Sequence, residues 1–508
     1  NVTGERNTAI GRQALQVATA DQNTAVGFNS LLNLSSGQYN TSVGSRALKD
    51  TTTADYNTAI GTDALMSNTT GVRNVAVGST ALDANTTASN NTAVGYGSMT
   101  TNTEGTNNTA LGYNSLELTT TGSNNTAVGK DALVANTTGE RNVAVGGTSL
   151  DANTTGQRNT GLGFAALGKN TTASNNTAVG HAALAENTTG IYLTAVGANS
   201  LNANTTGTRN TAVGYEAATD ITTGASNVAI GSFAIYSNTT GNNNTAVGHT
   251  ALENTTSGEN TAVGASCMNS NTTGTNNVAV GKSALTASTT GDQNVAVGRE
   301  AGASNTTSSH NTYIGNESFK NGTGGGNTGC GSQSGESATS GNYNTLIGYN
   351  SGQNLTTGSN NLFLGYEAGI TGSPNGNHTT HSNRIVLGNS NITNAHIKVD
   401  WTVTSDERDK ADIADFTKGL DIINSLRPVT YKWDMRSDYS NDLSVTPDGS
   451  KKSNKTEIGL IAQEVETVEK ANGYGSSEND CLFIDKSDDE KHYGLRYARL
   501  IPVLVNAI

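Results

Sequence analysis

Few residues of this 508-residue chain combine a type and a spacing that chemistry could use. The strongest pair is Ser405 and Lys410, in the run Thr404-Ser405-Asp406-Glu407-Arg408-Asp409-Lys410. A serine hydroxyl is a poor nucleophile until a neighbouring group takes its proton, and lysine can do so when desolvation favours its neutral form. Five residues apart is not one face of a helix. Ser405 would therefore sit on an extended entry segment that folds back to Lys410, or meet a lysine of another chain. Taken alone, Ser-Asp ahead of a charged helix also reads as an ordinary N-cap, with no chemistry at all.

Other candidates are thinner. Glycoside hydrolysis needs two positioned carboxylates, whereas acidic residues such as Glu140, Asp151 and Glu216 are scattered and no acidic pair recurs. His378 and His381 lack a nearby Cys or carboxylate in sequence and read as part of a solvated loop rather than a metal site. Three cysteines cannot make a disulfide framework. Cys267 and Cys330 occupy positions otherwise held by Ala and by aliphatic residues, so both are expected to be buried spacers. The chain is thus expected to hold no metal and no cofactor.

What positions Ser405 is preceded by four hundred residues of repetition. The phrase Asn-Thr-Ala-Val-Gly starts at Asn7 and returns every 17 residues, occasionally 16, through Asn361, with Leu193 once in place of its asparagine, giving 22 copies. A full copy reads Asn-Thr-Ala-Val-Gly-x-x-Ala-Leu-x-x-Asn-Thr-Thr-Gly-x-x, and its positions are numbered here as slots one to seventeen. No single copy can bury its own apolar groups, but stacked copies cover one another and pair their backbones rung to rung. The reading is a mainly β fold, a β-solenoid or β-roll rod over residues 1–388. Twenty-two rungs at roughly 4.8 Å would span on the order of 100 Å.

The slots carry their own expectations. Slot four (Val26, Ile60, Val145) and slot nine (Leu31, Leu65, Leu133) are expected to form the stacked apolar columns inside. Slot five is always Gly, as a bend with positive φ or a close backbone approach would require. Asn, Thr and Ser at slots one and twelve to fourteen can bond to turn backbone and to their own copies one rung away. Proline is absent before Pro374, as a ladder that uses nearly every N–H demands. From Asn294 onward slot nine becomes Gly302, Gly335, Gly352 and Gly369, while slot three admits Tyr313, Leu346 and Phe363; a change of cross-section is expected there. A 23-residue step from Asn361 to Arg384 marks an inserted loop.

The net charge of −13 and the absence of a basic patch argue against nucleic-acid binding. No apolar run has transmembrane length, so no membrane insertion is expected. The chain opens inside a rung, which reads as a piece of a longer protein with its anchor upstream. Nearly half of its 29 basic and 42 acidic residues lie from Ser405 onward, in what composition marks as a separate globular domain. A short β-rich link, 389–404, connects the two.

That last part, 405–508, is expected to be a small α+β domain: a helix near Phe416–Leu426 stopped by Pro428, a strand from Val429 to Trp433, then Ile458-Gly-Leu-Ile-Ala-Gln-Glu-Val465. Tyr497, Ile501, Leu504 and Ile508 are spaced as a heptad seam leading into a coiled coil. The Ser-Asp-x-Arg-x-Lys opening, Tyr431, the Ile-Gly-x-Ile-Ala-Gln-Glu-Val phrase and Tyr497-Ala-Arg-Leu-Ile-Pro502 together resemble the intramolecular chaperone family found at the C-terminus of endosialidases and many phage tail spikes and fibres. Asp409 departs from that family, which more often has an apolar residue there.

The resemblance implies a trimeric chaperone that assembles the preceding β-structure and cuts itself off between Thr404 and Ser405. Ser405 would be the nucleophile and Lys410 its base, with Asp406, Gln463 and Glu464 at a possible chaperone site. The repeat more loosely resembles the head repeats of trimeric autotransporter adhesins, whose period is shorter. The expected function is a homotrimeric phage-type tail fibre or spike on a virion or extracellular surface, attaching to a host receptor, either a glycan or a surface protein. A cellular adhesin or structural filament with the same parts, and a glycan-degrading spike, are the alternatives.

Overall fold

In a computed structural model the protein is described over residues 4–370, 373, 376–398, 402–436, 439, 445–477, 480–486 and 493–508. It comprises two compact units, Asn1–Arg299 and Glu300–Ile508.

The first unit is a parallel β-solenoid of three-residue strands, from β1 (Thr8–Ile10) to β18 (Val295–Val297). Each strand pairs with the next in the register set by the repeat, as where Val143, Ala144 and Val145 face Thr160, Gly161 and Leu162. The turns are laddered as well: Leu48 N–H donates to Ala64 O at 3.0 Å and Thr52 N–H to Thr69 O at 3.1 Å. Slot-five glycine ends each strand, with φ near 137° at Gly27, where a Cβ would lie 2.3 Å from the carbonyl oxygen of Gly44 one rung on. Both reasons for glycine, the left-handed backbone and the close approach, therefore hold at once.

Asparagine supplies a second ladder inside the rung. The Asn142 carboxamide donates to Gly156 O at 2.8 Å and accepts from Asn159 N–H at 2.9 Å. Slot-twelve Asn153 donates to Asn136 Oδ1 at 2.9 Å and to Gly156 O at 3.1 Å. These are the rung-to-rung bonds expected of slots one and twelve, and they satisfy backbone groups that burial would otherwise orphan.

The expected interior is half right. Slot nine is buried throughout the first unit, as at Leu133 and Leu150. Slot four is not: Val145 is 38% exposed while Ala144 beside it is fully buried. Side chains alternate across a strand, so slot three inward forces slots two and four outward. The interior is narrow at slot three, which in the first unit holds only Ala, Gly161 and the hydrogen-bonded Ser42. At Gly161, in that slot, a Cβ would come within 2.6 Å of the Ser149 hydroxyl.

The second unit continues the same motif in β19 (Thr312–Ile314) to β23 (Ile385–Leu387). The expected change of cross-section is instead an exchange of volume. Leu346 and Phe363 are fully buried at slot three, and they fill the space that slot-nine leucine fills elsewhere. A Cβ on Gly352 would lie 2.8 Å from Leu346 Cδ1, and one on Gly369 2.4 Å from Phe363 Cδ2. Cys330, in slot four, is exposed for the same alternating reason as Val145, so it is no buried spacer; Cys267, in slot eight, is buried as expected. The 23-residue step still places Leu362 opposite Ile385. His378 and His381 are not in a solvated loop: both are buried, and His378 packs on Phe363 with ring centroids 5.4 Å apart. Within the inserted segment, His378 thus turns inward onto the large slot-three ring.

Among the described residues of 389–404 there is no strand. Beyond it lie α1 (Gly419–Ser425), the antiparallel pair β24 (Val429–Tyr431) and β25 (Glu457–Gly459), α2 (Ala462–Ala471), the pair β26 (Ile484–Lys486) and β27 (Tyr493–Leu495), and α3 (Leu500–Ala507). Their core is Ile422, Val465, Phe483, Ile484 and Val503. Helix α3 buries Val503 there and leaves Ile501, Leu504 and Val505 exposed. Of the expected heptad seam, Tyr497 precedes this helix in a 3-10 turn and Ile508 follows it. No helix among the described residues is long and apolar enough to cross a membrane.

Candidate functional site

The run from Thr404 to Lys410 is organised by one carboxylate. Asp406 caps a 3-10 turn, Glu407–Asp409, accepting from Arg408 N–H at 2.9 Å, and holds the Arg408 guanidinium at 2.6 and 3.0 Å. Arg408, first through its side chain and then through its backbone N–H, keeps the Asp406 carboxyl below the usual carboxylate range. The N-cap is thus Asp406 and not Ser405, whose side chain remains available for another partner.

That partner is Lys410. The 3-10 turn is closed by Lys410 N–H on Glu407 O at 3.1 Å, and the extended backbone of Lys410 sends its side chain back along the turn. Its ammonium donates to Ser405 Oγ at 2.8 Å and to Ser405 O at 3.3 Å. Ser405 and Lys410 are therefore within proton-transfer distance, and both are exposed, as is Thr404. In this arrangement the amine stands as the donor. The reverse transfer, from hydroxyl to amine, needs a free electron pair on the Lys410 nitrogen.

Gln463 and Glu464 lie in the first turn of α2 and make no hydrogen bond or ion pair with Ser405 or Lys410 among the described residues. Glu464 is held by Arg427, whose Nε donates at 3.0 Å, and this pairing keeps its carboxyl below the usual range. Its visible role is to tie α2 to the segment after α1. Asp406, by contrast, adjoins the pair and shapes it.

Several contacts lay beyond what the sequence indicated. Tyr497 Oη accepts from Leu460 N–H at 3.0 Å, and a Cβ on Gly459 would come within 2.6 Å of that oxygen. The glycine of the Ile-Gly-Leu-Ile phrase is thus needed where the tyrosine of the last phrase docks. Glu469 is fully buried and accepts from Phe483 N–H. Its position on the inward face of an amphipathic helix was the available signal. In the solenoid, burial raises the carboxyls of Asp83 and Asp151, each further through the carboxylate of a neighbouring rung, Asp63 and Asp131 respectively. No cluster of three or more His, Cys, Asp or Glu suited to a metal occurs among the described residues.

Comparison with known proteins bears on this region. Residues 405–474 match the family described as chaperone of endosialidase, and residues 475–508 lie outside the match. No curated protein and no solved structure matches the chain.

Proposed function

We propose that the protein is a tail-fibre or spike component that attaches to a host cell surface, and that its C-terminal domain assembles three copies before cutting itself away between Thr404 and Ser405. A β-solenoid followed in sequence by a chaperone-of-endosialidase match fits a tail fibre or spike-like protein. The observation that carries the finer reading is the 2.8 Å contact of Lys410 Nζ with Ser405 Oγ at the first residue of that match.

In the proposed reaction, neutral Lys410 takes the Ser405 hydroxyl proton and Oγ attacks the carbonyl carbon of Thr404. The C–N bond of that peptide breaks as the nitrogen of Ser405 gains a proton, leaving an ester between Thr404 and Ser405 Oγ. Water then hydrolyses the ester, giving a carboxylate on Thr404 and a free amino group on Ser405. An exposed pair in one chain becomes active only when other copies pack around it and remove water. Cleavage would thus follow assembly. Parallel pairing between distant segments is slow and open to misregister, so a chaperone is useful during folding and its removal traps the product.

Full-chain protein followed by intact-mass analysis tests this. The wild type should yield two fragments meeting at Thr404 and Ser405, while Ser405→Ala should assemble and remain whole. Lys410→Arg keeps the charge but cannot deprotonate, and it should also remain whole. Normal cleavage in Ser405→Ala would eliminate the mechanism.

A further inference from the structure

The alternation that turns slot four outward leaves a continuous apolar face along the first unit. From Ile10 to Val297 every slot-four residue is Val, Ile or Leu, and every slot-two residue is Thr or Val; no charge interrupts either row. Ten of the eighteen slot-four residues are exposed, Ile60 at 41%, Leu111 at 47% and Val145 at 38%, and the other eight are half-buried. At roughly 30 Å² of exposed apolar surface per rung, slot four alone presents on the order of 500 Å² across these strands. An uncharged apolar row of that size is at the upper end of what soluble monomers expose, and with the slot-two methyl groups it approaches the ~800 Å² per partner of a standard interface.

We infer that this sheet face, slots two and four of β1 to β18, is the surface along which copies of this chain pack against one another. The inference rests on the reading that copies assemble, and it assigns the place where they meet. A partner covering the whole row must present apolar groups at the same rung spacing over the same number of rungs. A second copy of the chain meets that requirement by construction, since its own slot four repeats at the identical rise. Short, uncharged side chains at both slots let two such faces approach without burying a charge. The strand's inner face holds the rung together, and its outer face holds the copies together.

Thiol accessibility in the full chain separates this from other arrangements. In a Cys330→Ser/Cys481→Ser background, a single Val145→Cys substitution places a thiol on the face, and Thr138→Cys places one on an exposed turn of the preceding rung. Sedimentation first establishes whether several copies are present. In an assembled protein, maleimide should label Val145→Cys more slowly than Thr138→Cys by on the order of tenfold or more. Equal labelling rates in an assembled protein would overturn the assigned surface while leaving assembly standing. Sedimentation as a single chain, with fast labelling at both positions, would overturn both.

Discussion

At the scale of single residues, the asparagine ladder makes the sharpest claims. Leu193 stands where its neighbours have asparagine, and it still donates its N–H to Asn176 Oδ1 at 3.0 Å but offers no carboxamide to the next rung. Leu193→Asn should extend the ladder and raise stability by about 1 kcal/mol, the net value of a typical hydrogen bond. Asn142→Ala should cost about 2–4 kcal/mol, since it strands the buried N–H of Asn159 and removes a donor from Gly156 O. Denaturant titration of each variant against the parent measures both. The slot-one and slot-twelve bonds were legible in the sequence because side-chain chemistry and period pointed the same way. Slot four was not: hydropathy alone favoured Val145 over Ala144 for the interior, whereas strand alternation and a narrow core reverse that choice. Val145→Asp should therefore leave a single rung's fold largely intact, while Ala144→Asp, placing an unpaired charge inside, should disrupt it.

Among elements, the paired exchange at slots three and nine is the feature most open to test. Gly352 has a φ of 60° and lies against Leu346, so Gly352→Leu alone should destabilise the second unit by overpacking. Adding Leu346→Ala should recover part of that loss, giving a coupling of about 1 kcal/mol or more in a double-mutant cycle. Both halves of the exchange were visible in the sequence, but their compensation was not, because it depends on which side chains share a layer. The burial of His378 and His381 was hidden for a related reason: polar, turn-rich surroundings suggest a loop in water, while Phe363 gives His378 a ring to pack on. In the C-terminal domain, helix α2 is anchored by Glu466, which binds Lys470 at 2.7 Å and also Lys486. These partners lower the Glu466 carboxyl from its ordinary 4.5. Its contribution is complete above that value and is lost as pH falls through the lowered one. The thermal stability of this domain should thus fall on acidification below about pH 4.5, and Glu466→Gln should flatten that dependence in thermal melts followed by near-ultraviolet circular dichroism.

For the whole molecule, a repetitive β-solenoid is followed in sequence by a terminal domain, and the proposed function has that domain act on the chain carrying it. The solenoid was legible from period alone, since 17 residues returned in phase and in parallel register. The Ser405 and Lys410 pair was legible only as a spacing compatible with two geometries, and within one chain the turn capped by Asp406 folds the lysine back to the serine. What sequence could not convey is the outward apolar face, which follows from a one-residue offset in a three-residue strand. The most direct test of the central claim is the native mass of the purified wild-type assembly. The account predicts three copies of a chain ending at Thr404, with the fragment beginning at Ser405 released. A single intact chain, or a trimer that retains Ser405 to Ile508 covalently, would contradict it.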